Sequence, residues 1–137
     1  MKSITALVLT LFITTSVFGQ DKMKHFGKKI YLDKMPITLN TAAFMAFEVS
    51  TASYTHIKKA QRLRNWNYFW AVIGGYELGA GLATAAGGGS DSQIAWLDVG
   101  IGAVCIGIIP GREERYKMHL RQAVELYNDA QIEYNAE

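Results

Sequence analysis

Between Trp66 and Ile109 the chain carries Glu77, Asp91 and Asp98 as its charged residues, and small residues recur throughout the same stretch. A run of that kind belongs inside protein or in lipid, because a contiguous apolar surface left in water drives association. It divides into two apolar segments, 66–86 and 94–109, around the polar turn Gly87-Gly88-Gly89-Ser90-Asp91-Ser92. At about 1.5 Å per residue the first segment, as a helix, matches the roughly 30 Å of a hydrocarbon core. The second is short for a full span and stops at Pro110-Gly111, so it is expected to start in the interface near Trp96 or to lie where the bilayer thins.

Ala71, Gly75, Gly79, Ala83 and Gly87 recur every fourth residue, with a GxxxG pattern at Gly75 and Gly79, and Gly100, Ala103 and Gly107 give the second segment a small face of its own. An interior glycine costs about 1 kcal/mol against alanine in water, a loss that close helix packing in lipid offsets. Two helices joined by a short loop run antiparallel, so Ala71, Gly75, Gly79 and Ala83 are expected to pack on Gly100, Ala103 and Gly107 in a tight hairpin. Glu77 and Asp98 each lie about 160° from the nearby glycine of these faces, off the packing surface. Ionisable groups inside a bilayer are expensive and are functional suspects. Both are therefore candidate intramembrane functional residues, Glu77 ahead of Asp98, which is near enough to the turn to reach the surface. Trp66, Tyr68, Trp70 and Trp96 are the candidate interface aromatics, since amphipathic rings favour the head-group level.

At the N-terminus, Lys2, the apolar stretch Ile4 to Phe18, and Val17 and Gly19 read as a signal peptide over residues 1–19, too short to be a permanent span. No cysteine follows it to carry a lipid anchor, and the mature chain is expected to start near Gln20 or Asp21. Residues 20–40 are polar and contain Lys22, Lys24, Lys28, Lys29 and Lys34, with a short strand or hairpin turning at Asp33-Lys34 and limited by Pro36. The lysines read as a solvated tether or as charges drawn to anionic lipid head groups, at about 1 kcal/mol each. Residues 41–137 read as one helical domain. Asn40 and Thr41 can cap a long amphipathic helix from Ala42 to Arg64, with Phe47, Tyr54, Ile57 and Ala60 on one face and Lys58, Lys59, Arg62 and Arg64 at its end, where cations suit the helix dipole. After Gly111, the residues Tyr116, Leu120, Ala123, Val124, Tyr127, Gln131 and Tyr134 form the stripe of a C-terminal amphipathic helix expected to pack on the first.

Several functions are set aside by composition. A net charge of +2 with 19% charged residues gives no nucleic-acid footprint. Cys105 is the sole cysteine, so neither a disulfide framework nor a thiolate metal cluster is expected, and on an apolar helix it reads as a small core residue. His25, His56 and His119 have no metal-ligand spacing, and no Ser or Cys stands beside a recognisable base. No enzyme activity, metal or cofactor is expected.

The strand-like Tyr31-Leu32-Asp33, the long helix, the two glycine-rich apolar segments with a tryptophan before the second and a proline after it, and the ending Ala123-Val124-Glu125-Leu126-Tyr127-Asn128 together resemble a group of short exported proteins of Gram-negative bacteria. That group usually has glycine in the turn after the strand, where this chain has Lys34. The resemblance implies a mainly helical membrane protein without an assigned activity. The expected function is a non-enzymatic envelope component, in the inner membrane rather than the outer, with its soluble helices periplasmic and its glycine-rich helices in contact with lipid, with further copies of the chain or with another membrane protein. Two alternatives stand beside it: an oligomeric pore or proton-conducting element using Glu77, and a soluble periplasmic module binding an apolar ligand or partner. The clusters Lys58, Lys59, Arg62, Arg64 and Arg112, Arg115, Lys117 flank the hairpin on one side, and positive flanks usually stay in the cytoplasm. The export signal opposes that placement.

Overall fold

The computed structural model describes residues 22–87, 92–134 and 136; residues 1–19, where a signal peptide is expected, and residues 88–91 of the polar turn lie outside them. The chain is mainly helical with one small antiparallel sheet. Strands β1 (Met23–Phe26), β2 (Lys29–Leu32) and β3 (Met35–Ile37) form a meander in the order β1-β2-β3, with Phe26 opposite Lys29 and Leu32 opposite Met35. Helices α1 (Leu39–Val49), α2 (Thr51–Ala86), α3 (Ser92–Gly107) and α4 (Ile109–Tyr134) follow.

The expected hairpin at Asp33-Lys34 forms, with both residues at positive φ, 45° and 74°. Such turns suit the right-handed twist of the strands they join. A side chain in that conformation costs about 1–2 kcal/mol, and Lys34 bears it without the excuse of being glycine. At the first turn Gly27, at φ 59°, meets the same demand freely. Strand β1 is an addition to the expected hairpin, and the segment is anchored to the main core by Met23 of β1 and Ile30 of β2, each 1% exposed, while its lysines stay exposed.

The helices divide differently from the expected pattern. The N-cap of α1 is Thr38, whose hydroxyl accepts from the Thr41 N–H, and Asn40 instead accepts from the Gln61 side-chain amide on α2. The break falls at Ser50, which closes α1 and caps α2 in one extended residue at φ −151°, its hydroxyl accepting from the Ser53 N–H. Phe47 is therefore not on the inner face with Ile57 and Ala60; it is 67% exposed and meets Tyr54 edge to face. No boundary occurs near Arg64, because α2 runs on for 36 residues, about 54 Å. Lys58, Lys59, Arg62 and Arg64 are exposed residues in mid-helix rather than a helix end.

The second rod is also nearly continuous. Pro110 falls in the first turn of α4, where a missing N–H is tolerated. Hydrogen bonds from Ile108 N–H to the Val104 carbonyl and from Arg112 N–H to the Ile108 carbonyl carry the ladder across the junction. The molecule is thus a long antiparallel helical pair with two ends. At one end β1–β3, α1, the first part of α2 and α4 enclose a core of Ile30, Leu39, Ala46, Ile57, Tyr116, Leu120, Val124 and Tyr127. At the other end α2 and α3 pack on each other alone.

Within the cap, five of the stripe residues expected on α4 are buried, Tyr116, Leu120, Ala123, Val124 and Tyr127, while Tyr134 is exposed. The buried Ser53 hydroxyl donates to the Ala123 carbonyl at 2.7 Å. Asn128 both donates to the Met23 carbonyl and accepts from the Met23 N–H, so its amide acts as a strand partner that pins the start of β1 to α4.

Candidate functional site

The apolar pair is zipped through glycine, but not through the expected ones. A Cβ on Gly74 would lie 2.9 Å from the Cys105 Cβ and 3.0 Å from the Gly102 carbonyl oxygen. On Gly81 it would lie 2.7 Å from the Ala95 carbonyl oxygen, and on Gly102 2.7 Å from the Leu78 nitrogen. These three glycines let the backbones touch, with Cys105 buried in the same seam as a small core residue. Ala71, Gly75, Gly79, Ala83, Gly100, Ala103 and Gly107 are all exposed, and a Cβ on Gly75, Gly79, Gly100 or Gly107 would meet nothing within 4 Å. The expectation that these faces meet each other is overturned: glycine occurs on several sides of both helices, and the α2–α3 register selects another set.

The displaced residues still share a surface. About 100° of rotation per residue from the seam puts Gly75 and Gly79 on one flank of α2, and Ala103, Gly107 and Gly100 on the same flank of α3. The antiparallel register set by Gly74 against Gly102 and Gly81 against Ala95 brings Ala71 level with Gly107, Gly75 with Ala103 and Gly79 with Gly100. The result is an outward two-helix patch of small residues around Gly75, Gly79, Gly100 and Ala103, bordered toward the turn by the exposed Leu82 and Trp96. Glu77 and Asp98 lie about 60° and 40° from the seam on the opposite flank, both half-buried. Neither is in an ion pair among the described residues.

The rest of the outer surface consists of large apolar side chains. Val72 is 70% exposed, Tyr76 72%, Leu97 67% and Val104 63%. Among the described residues one helix is long and apolar enough to cross a membrane, the α3–α4 rod from Ile94, and 17% of its most apolar stretch is buried. The first apolar segment does not reach that standard, because Glu77, Tyr76, Trp70 and its glycines dilute it. Of the expected interface aromatics, Trp66 and Trp70 form a cluster with Phe69, Tyr68 is exposed beside them, and Trp96 is exposed near the turn at the far end.

Where cap and apolar pair join there is a cavity of about 380 Å³. Lys28 and Lys29 from the first turn of the sheet and Arg64 from α2 supply its cations, and Ala71 and Ile109 its apolar floor. Tyr68, Asn67, Tyr116 and Glu113 complete the wall. The Tyr116 hydroxyl donates to the Lys28 carbonyl at 2.9 Å, which holds the turn over the cavity. Burial pushes the Tyr116 phenol up from its ordinary value, against the pull of the nearby Arg64 guanidinium. Lys28 pairs with Glu113 at 3.0 Å, and its hydrogen bond, with Lys117 adding to it, holds the Glu113 carboxyl below the usual range. Arg112 reaches Asn67 at 3.1 Å beside this site. Nothing in the linear sequence brings Lys28 to Arg64 or Glu113, so the cavity was not foreseeable from spacing.

The same holds for a second cluster, on the opposite side of the cap. His56 on α2 and His119 on α4 meet with their Nδ1 atoms 3.2 Å apart. Burial, then the charges of His56 and Lys59, lowers the pKa of His119 from 6.5. The unfolded chain thus takes up a proton that the folded chain resists. Stability is complete above about pH 6.5 and is lost as pH falls below it. The thermal midpoint of the cap, followed by circular dichroism, is expected to drop between pH 7.5 and 5.5, and His119→Gln should flatten that slope. An unchanged slope in the variant would assign the loss to other groups.

This chain matches no family model, no curated protein and no solved structure. Among the described residues there is no group of three or more His, Cys, Asp or Glu side chains placed to hold a metal ion.

Proposed function

We propose that this protein is a non-enzymatic component of the bacterial envelope whose apolar helical pair lies in a membrane and associates with a second copy through its outward small-residue face, with the cap outside the bilayer. The observation that carries this reading is the surface of the α2–α3 pair, whose interior needs are met by Gly74, Gly81 and Gly102 while Gly75, Gly79, Gly100 and Gly107 remain open. Small residues at matched depth on two helices allow close backbone approach by a further helix, and van der Waals packing of that kind drives helix association in lipid. A symmetric dimer uses the same face twice, as closed homo-oligomers do. The exposed Val72, Tyr76, Leu97 and Val104 give the remaining surface to lipid tails. Export rests on the signal-like residues 1–19.

Carbonate extraction of tagged full-length protein tests the membrane placement, and protease access to a C-terminal tag in spheroplasts tests the side. Association is tested separately by cross-linking in mild detergent. Gly79→Leu is expected to reduce the cross-linked dimer about tenfold, a change of about 1.4 kcal/mol, while leaving helicity unchanged, since a side chain there meets nothing within 4 Å in the single chain. Undiminished cross-linking in that variant would remove the small face as the contact, whatever the outcome of the extraction.

A further inference from the structure

The cavity at the junction is not used by the reading above, and its lining is chemically specific. Its cationic wall faces an apolar floor of Ala71 and Ile109, with Tyr68 between them, where the chain passes from charged to apolar sequence. Lys28, Lys29 and Arg64 bring three positive charges against the single negative charge of Glu113. Lys28 is already paired with Glu113, whereas neither Lys29 nor Arg64 is in an ion pair among the described residues. Two cations are thereby left to a ligand. The guanidinium is planar and suited to paired hydrogen bonds with a phosphate. Tyr116 and Asn67 offer further polar atoms in the wall. A volume of about 380 Å³ lies at the small end of ligand sites, room for a polar head but not for acyl chains.

We infer that this cavity binds the phosphate head group of an anionic phospholipid, with Arg64 and Lys29 on the phosphate and the acyl chains leaving past Ala71 and Ile109. The inference rests on the proposed membrane placement for its biological setting, but binding itself can be read without a bilayer. Phosphate fits better than a carboxylate because two cations converge from different elements, the sheet turn and α2, on one small space. The head group would tie the β1–β2 turn to α2 and fix the depth at which the cap sits above the lipid.

The test uses the full chain purified in a neutral detergent, with short-chain phosphatidylglycerol as the probe and short-chain phosphatidylcholine as its zwitterionic counterpart, and binding is followed by native mass spectrometry. The anionic lipid is expected to bind more tightly. Arg64→Gln and Lys29→Gln should each weaken it about fivefold, and Glu113→Gln should strengthen it by a similar factor. The double variant Lys22→Gln, Lys24→Gln removes two charges outside the cavity, more than either single variant, and should leave binding unchanged. Equal affinity for the two lipids would overturn the site, as would an equal loss in the Lys22, Lys24 control. Displacement of the lipid by inorganic phosphate at equal concentration would reassign the cavity to a free anion and also overturn it. Specific binding by a protein that carbonate extracts would uphold the site while removing the membrane placement, so the two failures are told apart.

Discussion

Gly102→Leu is expected to force α2 and α3 apart, the largest effect of any single change in the apolar pair. A Cβ at this position would sit 2.7 Å from the Leu78 nitrogen, 2.8 Å from the Gly74 carbonyl oxygen and 2.9 Å from the Leu78 Cβ. Two of those three atoms are backbone, so no rotamer change relieves the clash; one helix has to move as a body. Overpacking commonly costs about 1–3 kcal/mol where side chains can yield, and with backbone on the receiving side the cost should reach the top of that range or exceed it. The control is two residues away. Gly100→Leu adds the same side chain to the same helix, but into open space on the outward face. A disulfide engineered across the seam should form readily in the native background and in Gly100→Leu, and poorly in Gly102→Leu. Equal yields in all three would mean that the seam does not run through Gly74 and Gly102.

Leu120→Ala should damage the other end of the molecule. Leu120 is fully buried in the middle of α4, in the same core as Met23, Ile30 and Ile57, and so joins the sheet, α2 and α4 at one point. Truncating a buried leucine removes apolar transfer energy and leaves a void, together costing about 2–5 kcal/mol. The cap core is small, with alanine at Ala42, Ala43, Ala46, Ala60 and Ala123, so little material is available to collapse into the space. A loss of about 3 kcal/mol is a large share of the stability of an ordinary domain. Urea titration should show the midpoint of the cap falling with the slope retained. Leu126→Ala, at a half-buried position on the same helix, should shift the midpoint far less.

The parts of this architecture legible in the sequence are those where polar and apolar residues alternate around a helix. Tyr116, Leu120, Ala123, Val124 and Tyr127 stand out because charged neighbours fill the other faces of α4, and the structure buries all five. The seam of the apolar pair offers no such contrast. With glycine at 74, 75, 79 and 81 on one helix and at 100, 102 and 107 on the other, a regular spacing of four singles out Gly75 and Gly79, while the register actually adopted uses Gly74, Gly81 and Gly102. Ser50 is a break without glycine or proline, its backbone N–H closing α1 on the Ala46 carbonyl and its side chain capping α2, and the cations from Lys58 to Arg64 imitate a helix end while sitting in the middle of one. The junction cavity and the His56–His119 contact depend on residues brought together from distant parts of the chain, the two histidines being 63 positions apart. Pairing of that sort is a property of the packed helices and leaves no local trace.

The α3–α4 rod passes from the apolar end to the cap as a helix of 41 residues counted from Ile94, some 60 Å long, alongside the unbroken α2. Neither rod has a joint between the two ends, so the molecule behaves as a lever. With the apolar pair in a membrane, as proposed, a tilt of about 10°, well inside the range that helices adopt in bilayers of differing thickness, would swing the far tip of the cap by about 10 Å. Bilayer thickness would in this way be reported as cap position, and a change in the membrane would become a change in what the cap can reach.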